Sequence, residues 1–379
     1  MKLDETPEGI ESLATNRPPG GGLEPTLETI EAFGGPQGEA ALLETGDAQA
    51  RLERDLANIE VVSEGQSLSP TQAALRRLGR DRRAMICLAL TLLIIVTAYV
   101  GPLIYTRVGP GNIVGGITGT QTLTPMQYHN YAQIDIVRQH AAPFTALHPL
   151  GTDDLGRDIL ARLLAGVNVS IEVAILVEIL DVGLGLLIGT FAGYYGGWLA
   201  TLLDRFTDIM FAFPGLLFAI LAAATLGAAF SSALGLPGRL ILVSMALGIA
   251  VWPFMARLVR GQTLQLREQQ FIEAARTVGT SDLKIILTHI VPNLLNVVVV
   301  AAVLDMVSTI VAEAVISLLG LGVQTPGSSL GLMINEASAQ LQNYPIEVLW
   351  PVVVLAILVL AFSFVGDGVQ DAFNPRTKD

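Results

Sequence analysis

Hydrophobic positions in this chain collect into six long runs, roughly Ala84 to Ile104, Val173 to Tyr195, Ile209 to Ala229, Leu240 to Ala256, Val297 to Leu321 and Val348 to Val365. A helix needs about 20 apolar residues to cross a bilayer, and these runs are long enough. A helix on a soluble core keeps a polar face at helical spacing, and the first, third and sixth runs have almost none. The pattern predicts an all-α integral membrane protein with six transmembrane helices.

Between the fourth and fifth runs stands a different kind of segment, "EAARTVGTSDLKIILTHIVPNLL", charged and polar at its start. The preceding "LREQQFIEAARTV" is rich in helix formers and stops at Gly279, a residue free to take the positive φ of a helix C-terminus. Thr280 or Ser281 can cap a second helix, "DLKIILTHI", and Pro292 suits the first turn of the fifth span. Two short helices separated by a turn are therefore expected within a loop over about 256–290. Ala274 and Ala275 present almost no side chain, so another surface can approach their backbone, while Phe271 and Ile272 offer apolar anchors. A helix that docks in a groove has this character, and so does one lying on its own chain or on lipid headgroups.

Charge adds an orientation. The formal net charge is −12, but residues 1–75 hold 14 acidic and 4 basic side chains, a net of −10, so the acidity belongs to the N-terminal segment. That segment, with "NRPPGGGLEP", cannot bury enough apolar surface to offset chain entropy and reads as a disordered tail, with a short amphipathic helix expected in "DAQARLERDLANIEVV". The membrane domain then covers 76–379. Arg76, Arg77, Arg80, Arg82 and Arg83 directly precede the first span, and 13 basic residues flank one predicted side against 5 on the other. Basic residues stay in the cytoplasm, which places both termini and the 256–290 loop inside. The first span begins too late for a secretory signal, and the lone Cys87 leaves neither an intramolecular disulfide nor a cysteine metal cluster.

Candidate chemistry is sparse. Lys2, Lys284 and Lys378 are the only lysines and none follows a glycine, so there is no phosphate-cradling G-x-x-x-x-G-K-[ST] loop. His129, His140, His148 and His289 lack metal-ligand spacing, and "GVNVSIEVA" is not a nucleophile elbow. The chain reads as a non-enzyme. Four features in the spans remain. Gly185, Gly189, Gly193 and Gly197 recur every four residues, a spacing that lets another helix come close. Pro214 and Pro253 sit within the third and fourth runs, where they are expected to bend them. Glu178 and Asp181 share one helical face, and Asp305 and Glu313 fall within about 80° of one another. These carboxylates would either line a water-filled path or hydrogen-bond to neighbouring helices. In the outer segment from Arg107 to about Leu164, "GTDDLGRDIL" reads as a helix start capped at Thr152 or Asp153, with Asp154 and Asp158 set against Arg157 and Arg162.

Glu273-Ala274-Ala275, then Gly279 four residues on and Pro292 thirteen beyond that, resembles the EAA loop of ABC-importer permeases. Val291 and His289 stand where that loop usually has Leu and Ile. "HPLGTDDLGRDILARLLAG", "AGYYGGWLATLLDRFTDIMFAFPGLL", "WPFMARLVRGQ", "ISLLGLGVQTP" and "VGDGVQDAFNPR" resemble the C-type permease subunit of dipeptide, oligopeptide and nickel importers, in order across about 84–376. "TPGSSLG" departs from the family's proline-rich segment, with Leu330 at its Trp position, and the acidic tail is longer than usual. The resemblance implies the type I importer permease architecture in a bacterial or archaeal plasma membrane. It makes Phe271, Ile272, Glu273, Ala274, Ala275, Arg276 and Gly279 the coupling helix that seats in a cytoplasmic ATPase. It further implies a second permease subunit, two ATPase chains that hydrolyse ATP, an external solute-binding protein and no cofactor on this chain. The implied cargo is a di- or oligopeptide or a related solute such as a nickel chelate. Two other classes stay open on the residues themselves: a proton-coupled secondary transporter using the carboxylates, and a membrane scaffold or sensor working through the acidic tail.

Overall fold

The computed structural model describes Arg76 and residues 78–373 except Pro110 and Ala146, so the expectations for the 1–75 tail and the C-terminal arginine and lysine lie outside the described residues. Asp81 starts helix α1 (Arg82–Tyr105) by accepting from the N–H groups of Arg83 and Ala84 at 2.8 and 3.3 Å. Along α1 the buried positions Ala84, Thr91 and Ala98 recur every seven residues, while Ile86, Leu93 and Leu103 face outward. In lipid, outward apolar side chains cost nothing and small inward ones allow close approach.

A short hairpin follows, β1 (Ile113–Gly115) antiparallel to β2 (Gln121–Leu123), with Ile113 opposite Leu123. It departs from the all-α expectation, and Gly116 and Gly119, both at positive φ, turn the chain between the strands. After the short α2 (Pro125–Tyr128) come α3 (Ile159–Tyr195), α4 (Gly197–Phe211), α5 (Gly215–Leu234) and α6 (Leu236–Arg267). The order closes with α7 (Gln270–Thr277), α8 (Asp282–Ile285), a π-helical stretch (Ile286–Ile290), α9 (Val291–Leu318), α10 (Leu330–Ser338) and α11 (Pro345–Phe373).

Among the described residues five helical stretches are long and apolar enough to cross a bilayer: α1, α5, α6, the continuous run from Asp282 to Leu318, and α11. The expected count was six. The second predicted run falls in α3, a 37-residue helix that carries Glu172, Glu178 and Asp181 and packs against α1, α6, α9 and α11. The third run is also redrawn. Pro214 is not a bend inside a span but the residue that caps α5, because α4 has already ended at Phe211. Pro253 does lie inside α6.

Three apolar clusters hold the bundle. One joins α1, α3, α9, α10 and α11 through Ala98, Ile171, Ile310, Leu330 and Leu358. A second joins α3, α5, α6 and α9 through Val177, Ala219, Ala223, Ala246 and Ile316. Ala219, Ala223 and Gly227, spaced four residues apart, form a small-residue stripe that faces α6, and Leu217 and Leu221 point away from it. The third cluster lies at the Tyr195 end of α3 and takes in the loop considered next.

Candidate functional site

The loop between α6 and α9 is an elbow built from its own sequence signals. α7 ends at Thr277 with Val278 as its C-cap, after which Gly279 adopts φ +84°. The Gly279 N–H donates to the Arg276 carbonyl at 2.9 Å and the Thr280 N–H to the Ala275 carbonyl at 3.1 Å, the paired bonds of a Schellman motif. A side chain at Gly279 would strain that left-handed position. The second helix does not stop before the membrane, as the two-short-helix expectation had it. α8, the π stretch and α9 run on as one helix of 37 residues. Pro292 in the first turn of α9 has no N–H and crowds the carbonyl four residues back, and the wider π turn directly before it relieves that conflict.

The elbow's residues divide by face. Ile272 is fully buried among Met255, Val259, Ile285, Ile286 and Ile290, so it anchors the elbow to its own bundle and is not an anchor for another protein. Ala275 is partly buried against the same cluster. Phe271, Glu273, Ala274, Arg276 and Gly279 are exposed, and Val278, which the sequence reading did not single out, is 85 % exposed. Tyr194 ties the elbow to α3: its hydroxyl donates to Asp282 Oδ1 at 2.6 Å, and the Arg276 guanidinium lies 5.1 Å above its ring. Arg267 donates to the Gly193 and Tyr194 carbonyls at 3.1 and 3.4 Å. Tyr194, Tyr195, Arg267, Glu268, Glu273 and Arg276 enclose a polar recess of about 530 Å³ beside the elbow.

The glycine stripe leads from this end into the bundle. A side chain on Gly185, Gly189 or Gly193 would meet Met255, Val259 and Thr263 of α6 in turn, so these three glycines set the α3–α6 approach. Gly197 does not continue the stripe; it lies beyond the α3 terminus at φ +62° with nothing within 4 Å. The carboxylates also divide. Glu178, Asp181 and Asp305 converge, with one oxygen from each within 4.8 Å of the others. Glu313 does not join them; it is 1 % exposed and accepts from Ser170 of α3 at 2.9 Å and from Ser317 of its own helix at 2.7 Å, a structural arrangement that satisfies it.

At the far end of α3 the helix start is capped by Asp158, which accepts from the Ala161 N–H at 2.9 Å, and not by Thr152 or Asp153. Asp158 also takes His148 Nδ1 and the Tyr105 hydroxyl, each at 2.7 Å, instead of opposing Arg162. Arg157 and Arg162 are both buried and share Asp153 and Glu336, with Glu336 Oε2 at 2.8 and 2.6 Å. Burial alone would raise the Glu336 carboxyl, but the Arg162 and Arg157 guanidiniums outweigh it and hold it below its ordinary value. Sequence alone missed Glu336, because it stands 174 residues from Arg162.

Residues 185–379, more than half the chain, match the model of the binding-protein-dependent transport system inner membrane component, and the chain belongs to that family. It is a membrane permease component, not an enzyme. Residues 69–143 match the N-terminal transmembrane domain of oligopeptide transport permease C. The glutathione transport system permease protein GsiD of Salmonella typhimurium is 41 % identical over 256 residues, covering 68 % of this chain and 80 % of the relative. GsiD of Shigella flexneri serotype 5b is 36 % identical over 318 residues, covering 84 % and 94 %. The inward-facing MetNI methionine ABC transporter is similar over 57 % of this chain and 96 % of its own, at 20 % identity and a TM-score of 0.45.

Proposed function

We propose that this chain is the C-type permease subunit of an ATP-driven importer of peptide-like solutes, and that its elbow receives the work of a separate ATPase. The observation that carries this reading is the division of the elbow: Ile272 and Tyr194 fix it to the bundle, while Phe271, Ala274 and Val278 stay exposed on one short helix. Force applied to that exposed face passes through a helix continuous to Leu318 and, by Tyr194, into α3. The elbow has value only if it binds two ATPase conformations differently. A second permease subunit completes the path, two ATPase chains hydrolyse the ATP, an external binding protein delivers cargo, and, with the 37-residue α3 as the sixth crossing, both termini and the elbow face the cytoplasm. The name glutathione on the relatives supports a short peptide as cargo.

The direct test is Ala274→Glu in the assembled transporter. Ala274 is exposed where Ala275 is partly buried, so the substitution changes the docking face without touching the core. ATPase co-purification and ATP-dependent uptake are expected to be lost while the membrane chain keeps its unfolding temperature. Undiminished co-purification and uptake would refute the docking role.

A further inference from the structure

Glu178 and Asp181 project from one face of α3, and Asp305 comes to meet them from α9. Glu178 is 8 % and Asp181 2 % exposed, yet both Glu178 oxygens and Asp181 Oδ1 have no hydrogen-bond partner among the described residues. A buried carboxylate left in this way costs several kcal/mol, so such groups are normally paired or hold a cation. Glu313, on the same α9, shows the paired alternative with its two serines. Among the described residues, the arginines and histidines that form ion pairs do so with other carboxylates, near Asp153, Asp158, Asp204, Asp208 and Glu347.

Geometry and donor type together admit a hard cation. Oxygens that share one ion stand apart by at most twice the ion–oxygen distance, about 4.2 Å for magnesium and about 4.6 to 5.2 Å for calcium. The three carboxylates keep one oxygen each within 4.8 Å of the others. Asp305 is half-buried and borders a cavity of about 560 Å³ whose lining also includes Asn296 and Ser308, which offer further oxygen atoms.

We propose that Glu178, Asp181 and Asp305 form a site for one hard divalent cation, reached through that cavity and joining α3 to α9. It does not depend on the transport reading. An ion there draws together the two helices that also meet at Tyr194 and Asp282, so occupancy stiffens the bundle along its length.

The test uses the full chain in detergent after chelation, with manganese alone as a paramagnetic probe and calcium as competitor. One saturable manganese per chain is expected, displaced by calcium, together with a calcium-dependent rise in unfolding temperature. Glu178→Gln with Asp305→Asn should weaken binding at least about tenfold, since affinity follows the number of charged ligands. Binding to the unaltered chain is read directly, so a variant that fails to fold leaves the test intact. No saturable manganese, undiminished binding in the folded double variant, or stability that responds to pH but not to calcium would each overturn the site; the last would assign the cluster to shared protons.

Discussion

The hydroxyl of Tyr194, one residue from the end of α3, donates to Asp282 Oδ1 at the first residue of α8, 2.6 Å away. This bond joins the elbow to a helix that is not its neighbour in sequence. Tyr194→Phe keeps the ring under Arg276 and removes only the hydroxyl. A hydrogen bond to a charged group contributes about 1.5 to 3 kcal/mol. Hydrogen exchange over 280–290 is expected to accelerate accordingly, whereas unchanged protection would mean that Tyr194 does not hold the elbow.

Ile272 and Phe271 are adjacent and should behave oppositely. Ile272 is fully buried, so Ile272→Ala leaves a cavity and should cost about 2 to 5 kcal/mol in thermal or denaturant unfolding. Phe271 is 45 % exposed, and Phe271→Ala should leave the chain nearly as stable while weakening ATPase binding. Equal stability losses would contradict the assignment of their faces.

The glycine stripe separates by neighbour. A Cβ on Gly189 would stand 2.8 Å from Val259 Cβ, and one on Gly193 2.7 Å from Thr263 Cβ. Gly189→Val should therefore destabilise the bundle by about 1 to 3 kcal/mol or more through overpacking. Gly183 is exposed on the same helix with nothing within 4 Å, and Gly183→Ala should be neutral or stabilising by up to about 1 kcal/mol. Comparison of the two unfolding temperatures checks the pair.

Acid should loosen the end of the bundle around Arg157 and Arg162 through Glu336. Its carboxyl is held below the ordinary 4.5 by Arg162 and Arg157 against the opposing effect of burial. A carboxyl depressed in the fold contributes stability that is complete above its unfolded value and drains as pH falls through the folded one. Asp154 beside it is raised, first by burial and then by Asp153, and its protonation opposes part of that loss. In Glu336→Gln, unfolding temperature should be lower at neutral pH and vary less below about pH 4.5 than in the unaltered chain. Parallel acid limbs for the two proteins would argue against the role of this carboxylate.

Much of this was legible in the sequence where the physics is local. Apolar runs of the right length, the Gly279 cap and the small residues at Ala274 and Gly189 each act through spacing along one helix. What the sequence reading missed depends on which helix arrives opposite. Gly193 and Gly197 look alike in a four-residue repeat until α6 covers one and the α3 terminus strands the other. Ile272 reads as a free anchor until Ile285 and Ile290 fold over it. Asp305 and Glu313 share a helix, but only Glu313 meets serines, one of them contributed by α3. Pro214 sits in an apolar run that hydropathy alone treats as continuous, and its lack of a backbone donor starts a new helix there.

The proposed contact between the elbow and an ATPase is most directly tested by cross-linking. Cys87 is the only cysteine, so Cys87→Ser gives a clean background for Ala274→Cys, with Phe144→Cys as a control at an 87 % exposed position outside the elbow. In the assembled transporter, Ala274→Cys is expected to cross-link to the ATPase chain with a yield that changes on ATP binding, and Phe144→Cys is not. An Ala274→Cys that forms no such cross-link, or that reacts with an impermeant thiol reagent added outside intact cells, would contradict the coupling role.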